Sequence, residues 1–184
     1  MMTRRSSFLP PLHLVTSLLL AFILLNVQMY FLARPNAPWL WIDLVAIYAF
    51  YVGLEHHTFS AIFKIVVISL AFELNSAVPA GFALMTHLLI MLLGNRIAVW
   101  LEMQQRTSQL LLFACLLGFK ELLLAATIRA MGPENAQFHS FNLGEYLGMR
   151  IPGAFFTVLL AVPLMELFSR FDGFFENRHD SLRH

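Results

Sequence analysis

Leu12-His-Leu-Val-Thr-Ser-Leu-Leu-Leu-Ala-Phe-Ile-Leu-Leu-Asn-Val-Gln-Met-Tyr-Phe-Leu32 is a run of 21 residues without a single Asp, Glu, Lys or Arg. About 20 mainly apolar residues wound as a helix cross a bilayer's hydrocarbon core, so this run reads as a membrane span. Five further apolar stretches follow, at about 39–54, 58–74, 79–100, 109–128 and 151–171. The spacing predicts an all-α polytopic membrane protein, a compact bundle of about six transmembrane helices. Residues 1–171 form a single transmembrane domain in this reading, with spans at about 12–32, 39–54, 58–74, 79–100, 109–128 and 151–171, and 172–184 form a frayed cytoplasmic tail.

Composition agrees with the span reading. Of the 184 residues, 59% are hydrophobic and only 12% are Asp, Glu, Lys or Arg, against roughly 45–50% and about 25% in soluble domains; mean hydropathy is +0.70. A soluble enzyme, a nucleic-acid binder and a disordered scaffold are excluded on that balance. Cys115 is the only cysteine, which excludes a disulfide framework and a cysteine-based zinc site.

The twelve basic residues orient the chain. Arg4 and Arg5 precede the first span, and no small-x-small cleavage site follows it, so it is expected to be a retained anchor. The stretch Thr3-Arg4-Arg5-Ser6-Ser7-Phe8 is similar to a twin-arginine signal, with the Phe one position late. With the N-terminus in the cytoplasm, Arg4, Arg5, Arg96, Arg106, Arg170, Arg178 and Arg183 fall inside. Arg34, Arg129 and Arg150 fall outside, and Lys64 and Lys120 lie within spans. Seven against three satisfies the positive-inside rule and places both termini in the cytoplasm. Tyr30, Trp39 and Trp41 are expected at the outer interface, and Tyr51 and Trp100 at the inner one. Seven of the eight prolines are expected at helix starts or in loops, while Pro163 lies within a span and should kink it.

Ionisable residues inside spans are costly and mark functional positions by default. At about 1.5 Å of rise per residue, Asp43 and Glu73 are placed near the outer face. His87, Lys120 and Glu121 are placed near the midplane, and Lys64 and Glu166 toward the cytoplasm. Equal depth predicts a Lys64–Glu166 pair, with Arg170 also one i,i+4 step from Glu166. Lys120 and Glu121 are adjacent in sequence, so their side chains diverge by about 100° and need partners on different helices. Two readings of this set stay open: a network that fixes helix packing or holds a partner's spans, and a proton or substrate path. A transporter would more typically carry broken helices in matching halves.

Catalytic and metal chemistry finds little purchase. Glu55-His56-His57 has adjacent histidines rather than the i,i+4 pair that puts two ligands on one helix face. No nucleophile elbow is present, and Cys115 lies in an apolar run where a thiol is unreactive. Neither an enzyme, a metal site nor a cofactor is expected.

Glu73-Leu-Asn75-Ser76-Ala-Val-Pro79-Ala-Gly81 is the most distinctive stretch: an apolar helix ends on an acid, a small polar turn follows, and Pro-x-Gly opens the next helix. Upstream, Pro38 and Asp43 begin the second span and Gly53 lies at its far end. This order resembles the MreD family of bacterial rod shape-determining membrane proteins, with Glu73 in place of an aspartate. The likeness covers nearly the whole chain in length, span number, terse loops and basic tail. It implies a non-enzymatic subunit of the inner-membrane elongation complex for peptidoglycan synthesis, without catalytic residues. Its implied partners are an MreC-like protein, the MreB cytoskeleton and the glycosyltransferase–transpeptidase pair. In helix count the chain is also similar to the substrate-binding subunits of energy-coupling-factor transporters, the competing expectation.

Overall fold

A computed structural model describes residues 11–32, 42–55, 58–76, 79–100, 105–130 and 143–181. Among these residues the chain is six helices and no strand. They are α1 (Pro11–Val27), continued by a π-helical turn at Gln28–Leu32, then α2 (Leu44–Glu55), α3 (Thr58–Asn75), α4 (Phe82–Trp100), α5 (Arg106–Ala130) and α6 (Leu143–Ser181). Three stretches are long and apolar enough to cross a membrane: Phe82–Trp100, Arg106–Ala130 and Arg150–Gly173.

Two boundaries differ from the sequence reading. α2 begins at Leu44 rather than near 39, because Asp43 stops it from the N-terminal side as a cap. Residues 39–41 lie outside the described residues. α6 is a single helix of 39 residues. It absorbs the end of the expected 129–150 loop and the first ten positions of the expected frayed tail, and Pro152 therefore falls inside a helix rather than at its start. Both Pro152 and Pro163 are accommodated within it.

α2 is the shaft of the bundle. Every residue from Ile42 to Gly53 is buried, and α1, α3, α4 and α6 all pack against it. A helix without a polar face belongs in an interior, and Val-Ala-Ile-Tyr-Ala-Phe-Tyr-Val (45–52) has none. Phe50 packs on Phe113 of α5 with centroids 5.1 Å apart, and Tyr48 meets Phe168 of α6 edge-on at 5.7 Å.

Close approach to α4 depends on two glycines. A Cβ on Gly53 would stand 2.5 Å from the Met91 carbonyl oxygen, and one on Gly94 would stand 2.9 Å from the Phe50 ring. The gap closed by Gly53 lets Asn95 Nδ2 donate to the Gly53 carbonyl at 2.5 Å.

The outer helices invert the soluble pattern. Phe59, Leu19, Leu122 and Phe155 are all more than half exposed, whereas Lys64, His87 and Lys120 are buried. Tyr51 is buried, its hydroxyl donating to Asp172 Oδ2 at 2.7 Å. Trp100 and Tyr30 are exposed, and Trp39 and Trp41 lie outside the described residues.

Candidate functional site: a buried charge centre

The site is built on the N-terminus of α2. A helix start leaves its first N–H groups without intrahelical acceptors, and this one lies inside the protein, where such groups must be satisfied. Asp43 Oδ1 accepts the Ala46 N–H at 2.9 Å, the geometry of an N-cap. Gln28 Oε1, at the first position of the π-helical turn, accepts the Val45 N–H at 3.0 Å. Thr157 Oγ1 of α6 accepts the Asp43 N–H at 3.0 Å and donates its own hydrogen to the Gly153 carbonyl at 2.7 Å.

The second carboxylate oxygen faces the other helices. Lys120 Nζ of α5 donates to Asp43 Oδ2. His87 Nε2 of α4 stands 3.9 Å from the same oxygen, beyond hydrogen-bond distance, and has no other hydrogen-bond partner among the described residues. The opposite ring nitrogen, Nδ1, is 3.0 Å from Ser69 Oγ of α3, and the Phe72 ring closes over the imidazole edge-on at 5.9 Å. Gln28, Asp43, Ser69, His87, Lys120 and Thr157 thus bring one residue from each of the six helical elements to one point. All six are buried.

Asp43 and Lys120 therefore share a depth, where the sequence reading separated them. His87 lies about 8 Å and Lys120 about 15 Å along their helices from the ends nearest this centre, and the late start of α2 brings Asp43 down to meet them. The divergence of Lys120 and Glu121 holds: Glu121 Oε2 is 3.7 Å from Arg150 Nε of α6, on the other side of α5.

The remaining predicted residues act elsewhere. Glu73 reaches across the α3–α4 turn, where its two oxygens accept the Gly81 N–H at 3.0 Å and the Leu84 N–H at 2.8 Å. The Pro79-x-Gly81 element serves that cap. The Pro79 carbonyl accepts the Phe82 N–H at 3.0 Å, and Gly81 takes φ 81°, which a Cβ disfavours. Asn75 bonds back to the Ala71 carbonyl at 2.8 Å, and the Ser76 N–H to the Glu73 carbonyl at 3.3 Å. A carboxylate on two N–H groups at a helix start stabilises by charge as well as hydrogen bonding. Glu73→Ala is expected to cost about 1–2 kcal/mol, read as a lower thermal midpoint in detergent, with Glu73→Gln losing less.

The expected Lys64–Glu166 pair is absent. Glu166 lies on an exposed face and pairs with Arg170 one turn on, at 2.6 Å, and the buried Lys64 Nζ has no hydrogen-bond partner among the described residues. The rotation of α6 decides this, since it turns 166 outward and 172 toward α2, where it accepts from Tyr51. Glu166→Ala is accordingly expected to change stability by less than about 0.5 kcal/mol; a larger loss by thermal unfolding would restore the missing pair.

Among the described residues no group of three or more His, Cys, Asp or Glu side chains is placed to hold a metal ion. His56 and His57 lie outside them. Cys115 is exposed on α5. Three members of the centre, Gln28, Ser69 and Thr157, escape sequence reasoning, which followed charge. Uncharged polar residues within apolar spans are the available signal, but it is ambiguous: Thr127 shows the same pattern and bonds only the Leu123 carbonyl of its own helix.

Chemically, the centre is one carboxylate with two cationic candidates and a set of fixed donors. It fastens helices and can hold a proton. Comparison of the chain with models of known protein families, with curated proteins and with solved structures returns no match.

Proposed function

We propose that this chain is a non-enzymatic inner-membrane subunit of the cell-elongation machinery, a membrane scaffold for an MreC-like partner, spanning the bilayer six times with both termini in the cytoplasm. Support comes first from the inverted surface. Exposed Phe, Leu and Val side chains on the outer helices suit contact with lipid or a partner's span, and exposed apolar area of this extent marks such contacts. The resemblance of the Glu73–Gly81 junction to MreD supplies the family direction.

The observation that carries the scaffold reading is where the ionisable residues of the apolar helices point. Asp43, Lys120, Glu121 and Glu73 are engaged with other parts of this chain. Polar contacts used in this way fix the relative heights and rotations of helices. A partner then meets outer faces held in one arrangement. Interhelical polar contacts in membranes contribute only about 0.6–2 kcal/mol each, so convergence of six elements on one centre suits a rigid platform better than any single pair would.

Depletion of the protein in its rod-shaped host should round the cells, and mild-detergent capture should bring down an MreC-like protein. Retained rod shape with no such partner overturns the reading. A vitamin-sized molecule retained by the same preparation would favour the substrate-binding subunit of a transporter instead. Topology is tested separately by single cysteines at positions 7, 137 and 181 in a Cys115→Ser background. Only Gln137→Cys should react with an impermeant reagent added from outside.

A further inference from the structure

The Asp43 centre holds two bases against one acceptor, and their arrangement is unequal. Lys120 Nζ is bonded to Asp43 Oδ2, while His87 Nε2 stops 3.9 Å short of the same oxygen and has no hydrogen-bond partner among the described residues. That separation suits a bare ring nitrogen, whose lone pair a carboxylate repels. The site around His87 is nonetheless complete for the charged form. An imidazolium donates from both nitrogens; Ser69 Oγ stands 3.0 Å from Nδ1 as one acceptor, and Oδ2 lies about one ångström beyond bonding distance as the other. Lys120 and Asp43 side chains retain 9% and 12% exposure, whereas His87 and Ser69 retain none.

We infer that Asp43 is the pivot of a proton-driven partner exchange, in which one proton taken up at His87 Nε2 replaces the Asp43–Lys120 pair between α2 and α5 with an Asp43–His87 pair between α2 and α4. The proton taken up forms the Nε2–H bond. No covalent bond between heavy atoms changes, and the Lys120 ammonium moves off Oδ2. The charged groups facing His87 are Asp43 from the start of α2, Glu73 from α3 and Lys120 from α5, with Glu121 and Arg150 acting on Lys120. The exchange removes the Asp43 tie between α2 and α5, while the Phe50–Phe113 contact between those helices and the cap on Ala46 through Oδ1 persist. This inference rests on the geometry of the centre and not on the proposed cellular role.

The test uses the full chain in lipid nanodiscs of phosphatidylethanolamine and phosphatidylglycerol. Solid-state NMR of 15N-labelled histidine, with His87 assigned by its loss in His87→Gln, follows the ring. Infrared spectroscopy follows the carbonyl band of a protonated Asp43, assigned by its loss in Asp43→Asn. Acidification from about pH 8 to about pH 4 should produce the His87 imidazolium before any Asp43 carboxylic acid band. Lys120→Met removes the competing cation, and the imidazolium fraction at neutral pH should then rise at least threefold, neighbouring charges at this range being worth about tenfold or more. Asp43→Asn should abolish the imidazolium across the range. An Asp43 acid band that appears first overturns the exchange, as does a rise below threefold in Lys120→Met, or a His87 titration unchanged in Asp43→Asn. If Asp43→Asn fails to fold, Lys120→Met and Lys120→Gln decide by the same threshold.

Discussion

Lys120→Met is expected to lower the stability of the bundle by about 3 kcal/mol at neutral pH, the scale on which removal of one member of a buried ion pair destabilises. The loss comes less from the missing attraction than from the carboxylate left behind. Asp43 sits at a buried helix start with its Oδ1 committed to Ala46, so it cannot turn toward water without uncapping α2. The double variant Asp43→Asn/Lys120→Met separates these effects. Asparagine keeps an oxygen for the Ala46 N–H and is as good an N-cap as aspartate, while the unpaired charge is gone. The double variant should therefore recover to within about 1 kcal/mol of the parent. Thermal or denaturant unfolding in the same detergent measures all four proteins. Losses that simply add across the cycle would show that the two residues do not interact.

Gly53→Ala should cost about 2 kcal/mol, although alanine favours a helix over glycine by about 1 kcal/mol. The new Cβ would lie 2.5 Å from the Met91 carbonyl oxygen and 3.1 Å from its Cα. Those atoms belong to the backbone of α4 and cannot rotate away, so the two helices must part. Parting them also stretches the Asn95–Gly53 hydrogen bond and loosens the packing of Met91, which is buried. Overpacking of a tight core costs about 1–3 kcal/mol, and this contact belongs in the upper part of that range. Gly118→Ala is the control. Nothing lies within 4 Å of its added Cβ, so it should be neutral or stabilising by up to about 1 kcal/mol. If the two substitutions have equal effects on the thermal midpoint, the close α2–α4 approach is not what Gly53 provides.

Particular residues show how far the sequence could be read. Glu73 was legible as a special position because an acid before a polar turn and Pro-x-Gly is rare in so apolar a chain, although its role as a cap for α4 is visible only in the folded turn. Lys120 and Glu121 were legible as a diverging pair because the 100° step between neighbours is a local property of any helix. Their partners, Asp43 and Arg150, were not, and the depth count put Asp43 at the outer face. The contact between Asp43 and Lys120 brings together two residues which that count had set at different heights. Lys64 and Glu166 failed as a pair for the other reason: equal height does not imply facing rotation, and α6 turns Glu166 outward.

The amino-acid sequence by itself determined the apolar helical architecture, since 59% hydrophobic residues arranged in runs of span length admit little else. It also determined which few ionisable groups had to be explained. Both are local properties, set by residue type and by the rise and turn of a helix. Only the tertiary structure decided that Gln28, Asp43, Ser69, His87, Lys120 and Thr157 meet at one point, and that α2 is the buried shaft on which they meet. Such meetings depend on the relative height and rotation of six helices. Those are set by side-chain packing and by backbone approaches such as Gly53 on Met91, which no single segment encodes.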